Sequence, residues 1–156
     1  MLILSIVILL TYLGFALYKQ KDIPHSISMT YYLLPDNFSW VFRVVMILIP
    51  ALILPVWLGV PEDNYRFLAF LGCSGMMFVG CAPNLHILLE NKVHYVSAIT
   101  CCISACLWQI FTGFWMVLVG WFILCSIGYV WKRQIIWWIE IMAIGSVISD
   151  LLYLTL

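Results

Sequence analysis

Residues 1–22 read MLILSIVILLTYLGFALYKQKD, and this stretch decides what kind of protein the chain is. Met1 to Tyr18 carry no charge, and Lys19, Gln20, Lys21 and Asp22 end the run abruptly. A cleaved leader places positive charge before its apolar core and small residues after it. Here the charge follows and no Ala-x-Ala occurs, so an uncleaved membrane span is expected. Outward from it the chain stays apolar: 65% of its 156 residues are hydrophobic and 9% charged, with a mean hydropathy of +1.10. A water-facing surface cannot be built from that composition. Crossing a hydrocarbon core takes about 20 residues, so the length supplies about six crossings and no separate soluble domain.

The expected fold is all-α: a single polytopic membrane helix bundle spanning 1–156, with spans at about 1–18, 40–60, 67–83, 93–111, 113–131 and 135–156. Between the first two lies IPHSISMTYYLLPDNFS (23–39), broken by Pro24 and Pro35 and too long for a hairpin turn. Its apolar middle predicts an interfacial or re-entrant segment. Pro50 and Pro55 fall inside the second span, where neighbouring helices must cover the freed carbonyls. Gly72, Cys73, Ser74, Gly75 and Gly80 strip bulk from the third, which lets helix backbones approach closely. The six cysteines all lie in apolar stretches without Cys-x-x-Cys spacing, as small buried side chains. Trp40, Trp57, Trp108, Trp131, Trp137 and Trp138 fit an interfacial aromatic belt.

Seven Lys and Arg balance seven Asp and Glu, so no basic excess exists to neutralise nucleic-acid phosphates. With six spans, Lys19, Lys21, Arg43, Lys92, Lys132 and Arg133 share one side, and Arg66 lies on the other. The positive-inside rule then puts the connections after spans one, three and five in the cytoplasm and both termini outside. The expected setting is an integral protein of a membrane such as the bacterial cytoplasmic membrane.

Ionisable side chains inside a bilayer are costly and should face protein or water. Glu140 and Asp150 in the last span are the clearest cases, separated by about 15 Å of helix and so two sites rather than one dyad. Glu140 is within reach of Arg133 or a neighbouring hydroxyl. The fourth span opens with His94, and Ser97, Cys101 and Ser104 follow at three- and four-residue intervals on one face. With Glu140 they form the expected polar interior face. Histidine plus carboxylate is the raw material of a zinc site, which makes His86, His94, Glu140 and Asp150 weak metal candidates, although no His-x-x-x-His or His-Glu-x-x-His spacing occurs. No cofactor is otherwise indicated. Ser28, with Ser26 and Thr30, offers a hydroxyl that His25 or His94 could serve as base. The catalytic candidates are therefore Ser28, His94, Glu140 and Asp150, without a spacing that makes them specific.

Pro24-His25-Ser26-Ile27-Ser28-Met29-Thr30 is similar to the proline followed by an Ile-Ser-acid-Thr motif of one six-span superfamily. Its members include the damage-regulated autophagy modulators, the FGF-receptor-activating and GPI-anchor-remodelling proteins, and uncharacterised bacterial relatives. The run from Gly72 through Gly80 to Val93-His94 and Gln109 resembles its Gly-rich third span and histidine-led fourth. Met29 and Tyr95 stand where that group commonly carries acidic residues. The resemblance implies six spans, a first connection on the extracytoplasmic side, opposite to the charge reading, and a part in lipid handling or membrane homeostasis.

These readings converge on a small multi-span protein, non-catalytic as far as its motifs go, binding membrane lipids or a membrane partner through its polar interior face. A homo-oligomer or a second membrane protein is a further expected partner. A metal-dependent intramembrane lipid hydrolase and an oligomeric pore or small transporter are the alternatives.

Overall fold

The computed structural model describes residues 1–60, 64–84 and 87–155. All regular structure among them is helical: α1 (Leu2–Gln20), α2 (Thr30–Leu33), α3 (Asp36–Leu58), α4 (Arg66–Cys81), α5 (Ile87–Phe111), α6 (Trp115–Trp131) and α7 (Ile135–Thr155), with a 3-10 turn at Ala82–Asn84. Four helices are long and apolar enough to cross a membrane, namely α1, α3, α5 from Leu89 onward, and α7. The other two apolar helices, α4 and α6, have 16 and 17 residues. The chain is thus a helical membrane-type bundle.

Helix ends depart from the expected spans for local reasons. Pro35 sits at the N-cap of α3 and Asp36 in its first turn, so the helix begins four residues before the expected start at 40. Proline suits a helix entry because its missing N–H is needed least there, and an acidic first turn complements the helix dipole. The polar run Glu90-Asn91-Lys92 does not break α5, which begins at Ile87 instead of 93. At the other extreme, α1 closes on Lys21 in the left-handed region (φ 61°), whose N–H is donated to the Leu17 carbonyl. Three residues join α5 to α6, and Gly113 takes the positive φ (89°) that this tight connection requires.

The core forms around α4, packed chiefly on α5 and α3; α6 lies mainly on α7, and α1 on α3. Close approach is possible because α4 presents glycine at both seams. A Cβ on Gly75 would lie 2.7 Å from the Ser97 carbonyl oxygen of α5, and one on Gly80 would lie 2.8 Å from the Met46 Cβ of α3. The α6–α7 pair is held differently. Trp138 lies over Gly128 and Trp121 over Gly145, and the Trp121 indole donates to Ser149 Oγ at 3.0 Å.

The tryptophans correct the belt reading. Trp57, Trp108 and Trp137 are buried, and Trp57 meets Trp108 edge-to-face at 5.3 Å. In an apolar chain a tryptophan near a span end serves a helix interface as readily as a headgroup layer, because either setting accepts its large apolar body. Trp40 and Trp131 are exposed.

Candidate functional site

The segment between α1 and α3 does not lie along an edge of the bundle. It enters it, because polar groups on four other stretches of chain take up its backbone and hydroxyls in sequence. Asp22 pairs with Lys132 Nζ at 2.8 Å. His25 Nδ1 donates to Gln134 Oε1 at 3.1 Å, and the His25 carbonyl accepts the Trp137 N–H at 3.1 Å. That N–H belongs to the first turn of α7, where helix amides have no intrahelical acceptor. One turn further along, Glu140 Oε2 accepts the Ile27 N–H at 2.5 Å. The expected partners of Glu140, Arg133 or a hydroxyl, give way to this backbone amide.

Beyond Ile27 the segment turns from α7 towards α5 and α1. The Thr30 hydroxyl donates to the Ile27 carbonyl at 2.5 Å and also bonds the Tyr12 hydroxyl of α1. The Tyr32 hydroxyl donates to Glu90 of α5. Ser26, Ile27, Ser28 and Thr30 are all buried.

At the centre of this segment, Ser28 Oγ lies 3.0 Å from His94 Nε2 and 3.0 Å from Ser26 Oγ, and Ser26 Oγ accepts the Met29 N–H at 3.0 Å. The Met29 amide can only donate. The imidazole tautomer sets the rest: with Nε2 unprotonated the chain runs Met29 N–H to Ser26, Ser26 hydroxyl to Ser28, Ser28 hydroxyl to His94, and with Nε2 protonated His94 donates to Ser28 and Ser28 to Ser26. His94 is half-buried about two turns into α5, and Ser28 is 8% exposed.

Above this layer a partly enclosed cavity of about 90 Å³ runs between α3, α4, α5 and α7. Ile49, Ile53, Met76, Ala98, Ala105, Ala143 and Val147 contribute to its largely apolar wall, and Ser28 and Glu140 also line it. Alanines and Gly72 on facing helices leave the space, while Pro50 and Trp57 border it from α3. The hydrocarbon-walled part of such a void stays free of water, and Ser28 and Glu140 mark its polar end.

The expected polar face divides. Cys101 and Glu140 line the cavity, and His94 meets Ser28. Ser97 and Ser104 are buried at the α4–α5 seam, where Gly75 faces the Ser97 carbonyl and Gly72 the Ser104 Cβ. Asp150 is fully buried elsewhere on α7, and neither carboxyl oxygen has a hydrogen-bond partner among the described residues. One turn earlier, Ser146 Oγ accepts from Gln109 Nε2 at 2.9 Å. Gln109 and Tyr12 are polar groups of this interior that sequence reasoning missed, because other polar residues share both helices and only burial sets these two apart.

Among the weak metal candidates, His94 and Glu140 both reach the inserted segment, Asp150 does not, and His86 lies outside the described residues. No three His, Cys, Asp or Glu side chains converge as a metal-binding group among the described residues. Two groups outside the spans have shifted acidities. Hydrogen bonds from Lys132 and the Ile23 amide hold Asp22 below the usual carboxylate range, whereas burial, then Glu90, pushes the Tyr32 phenol up to about 12. No family model, curated protein or solved structure matches the chain, so the meaning of this site is carried by its geometry.

Proposed function

We propose that the protein is a six-span membrane protein that binds a lipid, drawing part of one hydrocarbon tail into the cavity and holding the polar end beside Ser28, His94 and Glu140. The observation that carries this reading is the pairing of a largely apolar void with a polar layer at one end. Membrane lipids have the same division, and a pocket with apolar walls and a few placed polar groups is the usual form of a small-molecule site. The inserted segment acts as a re-entrant floor to that pocket.

Six crossings accommodate α4 and α6, each about 25 Å long at 1.5 Å per residue, by local thinning of the bilayer and snorkelling at their ends. Lys19, Lys21, Lys92, Lys132 and Arg133 lie in or beside the helix ends and connections at the Ser28 end of the bundle. By the positive-inside rule that end faces the cytoplasm, and both termini lie on the opposite side.

Native mass spectrometry of the protein released from mild detergent tests the reading. The expected result is one acyl-bearing molecule per chain, reduced at least fivefold when Ala105→Leu and Ala143→Leu fill the void. A folded protein that retains no lipid, or equal retention in the filled variant, contradicts it.

A further inference from the structure

We propose that Ser28 and His94 form a nucleophile–base pair that cleaves an acyl ester, with the acyl chain of the substrate lying in the apolar cavity. The inference rests on the tail-binding reading for the placement of substrate and goes beyond it by assigning a reaction. Three observations support it together. His94 Nε2 lies 3.0 Å from Ser28 Oγ, within the range over which an imidazole removes a hydroxyl proton. Ser28 lines the cavity, so the carbonyl carbon of a chain seated there would meet a hydroxyl. Ser26 Oγ, itself held by the Met29 amide, lies 3.0 Å from Ser28 Oγ and can donate to it, and with His94 in the tautomer that leaves Nε2 unprotonated the Ser28 hydrogen is free to point at the imidazole.

A serine whose sole task is to tether a loop does not require a place on a cavity wall. Here the tethering is done by neighbours: the Ile27 N–H is held by Glu140, and Thr30 is bonded to Tyr12. Ser28 is thereby held from both sides in the chain. Glu140 is a positioning residue in this arrangement, acting through the backbone of Ile27.

The reaction balances without an added oxidant, reductant or metal. Ser28 Oγ attacks the ester carbonyl as its proton passes to His94 Nε2. The carbon–oxygen bond to the alcohol breaks, and the alcohol leaves with the proton from His94. The acyl group is then an ester of Ser28. Water, giving a proton to His94 Nε2, attacks that carbonyl and releases the fatty acid, and the proton returns to Ser28 Oγ.

Labelling of the full chain in mild detergent with an alkyl fluorophosphonate tests the pair, because this probe phosphonylates hydroxyls activated by an adjacent base. The expected adduct maps to Ser28 by peptide mass spectrometry, is absent from heat-denatured protein, and falls at least tenfold in His94→Gln. Hydrolysis of a p-nitrophenyl acyl ester should fall in parallel. No adduct on the folded wild-type protein, or an adduct confined to another residue, overturns the proposal even if a variant fails to fold. Unchanged labelling in His94→Gln also overturns it. Lipid retention with a silent probe removes this inference and leaves the binding reading; labelling without retained lipid removes the binding reading, and with it the seating of the acyl chain, and leaves the Ser28–His94 pair.

Discussion

Glu140 on α7 accepts the backbone N–H of Ile27 at 2.5 Å, joining positions 113 residues apart. A carboxyl that would be costly in a bilayer is thereby given a partner, and a backbone amide that would be orphaned inside a bundle is given an acceptor. The contact fixes the height at which the inserted segment stops, and with it the position of Ser28.

Glu140→Gln keeps an acceptor oxygen at this point, and Glu140→Leu removes it. Leaving the Ile27 amide buried and unpaired costs about 1–3 kcal/mol. Thermal unfolding in detergent should show that loss in the Leu variant and most of the stability recovered in the Gln variant. Hydrogen exchange at Ile27 should accelerate in the Leu variant alone. Equal stability and equal protection in the two variants would remove the latch role.

Gly75 and Gly14 make opposite predictions for the same substitution. Alanine at Gly75 would press a Cβ to 2.7 Å from the Ser97 carbonyl oxygen, while Gly14 has nothing within 4 Å of the corresponding position. Gly75→Ala is expected to destabilise by about 1–3 kcal/mol through overpacking. Gly14→Ala should be neutral or gain up to about 1 kcal/mol from helix propensity. Unfolding midpoints in an SDS titration check both, and a neutral Gly75→Ala would refute the close α4–α5 approach.

Tyr32 supplies a pH test outside the spans. Burial, then Glu90, raises its phenol from 10.0 to about 12 in the folded chain. A raised acid favours its neutral form in the fold, so the stability it contributes is complete below pH 10 and is lost as pH rises towards 12. Unfolding followed across that window should slope downward, and Tyr32→Phe should flatten part of the slope. An unchanged slope in Tyr32→Phe would contradict the assignment. The effect is expected to be modest, since Tyr32 is 56% exposed.

Asp150 is fully buried without a partner for either carboxyl oxygen among the described residues. Replacing such a group with an apolar one of similar size removes a desolvation cost. Asp150→Leu should therefore raise the unfolding temperature, with Asp150→Asn showing little gain. A lower unfolding temperature in Asp150→Leu would mean that the carboxyl is held by an interaction within the native bundle.

The ends and insertions of this fold were legible to different degrees. Lys19 to Asp22 announce the end of α1 because charge cannot follow a helix into hydrocarbon. Pro24, Pro35 and the hydroxyls between them mark a segment unlike the spans. Its contacts were legible only in part: Ser28 with His94 was one of the pairings the residue types allowed beside His25, but the two lie 66 positions apart and no local periodicity encodes which helix a loop enters. The same limit explains the tryptophans, since burial of Trp57 and Trp108 depends on a neighbour that the local pattern does not specify. Glu140 was visible as a costly residue, yet its partner is a backbone amide, which any residue except proline could have supplied.

The most direct measurement is photo-crosslinking with a fatty acyl chain that carries a diazirine near its methyl end. Tail binding predicts adducts on cavity residues such as Met76, Ala98 and Ile144, lost when Ala105→Leu and Ala143→Leu fill the space. Adducts confined to outward-facing residues such as Phe122 and Ile127, unchanged in the filled variant, would contradict it.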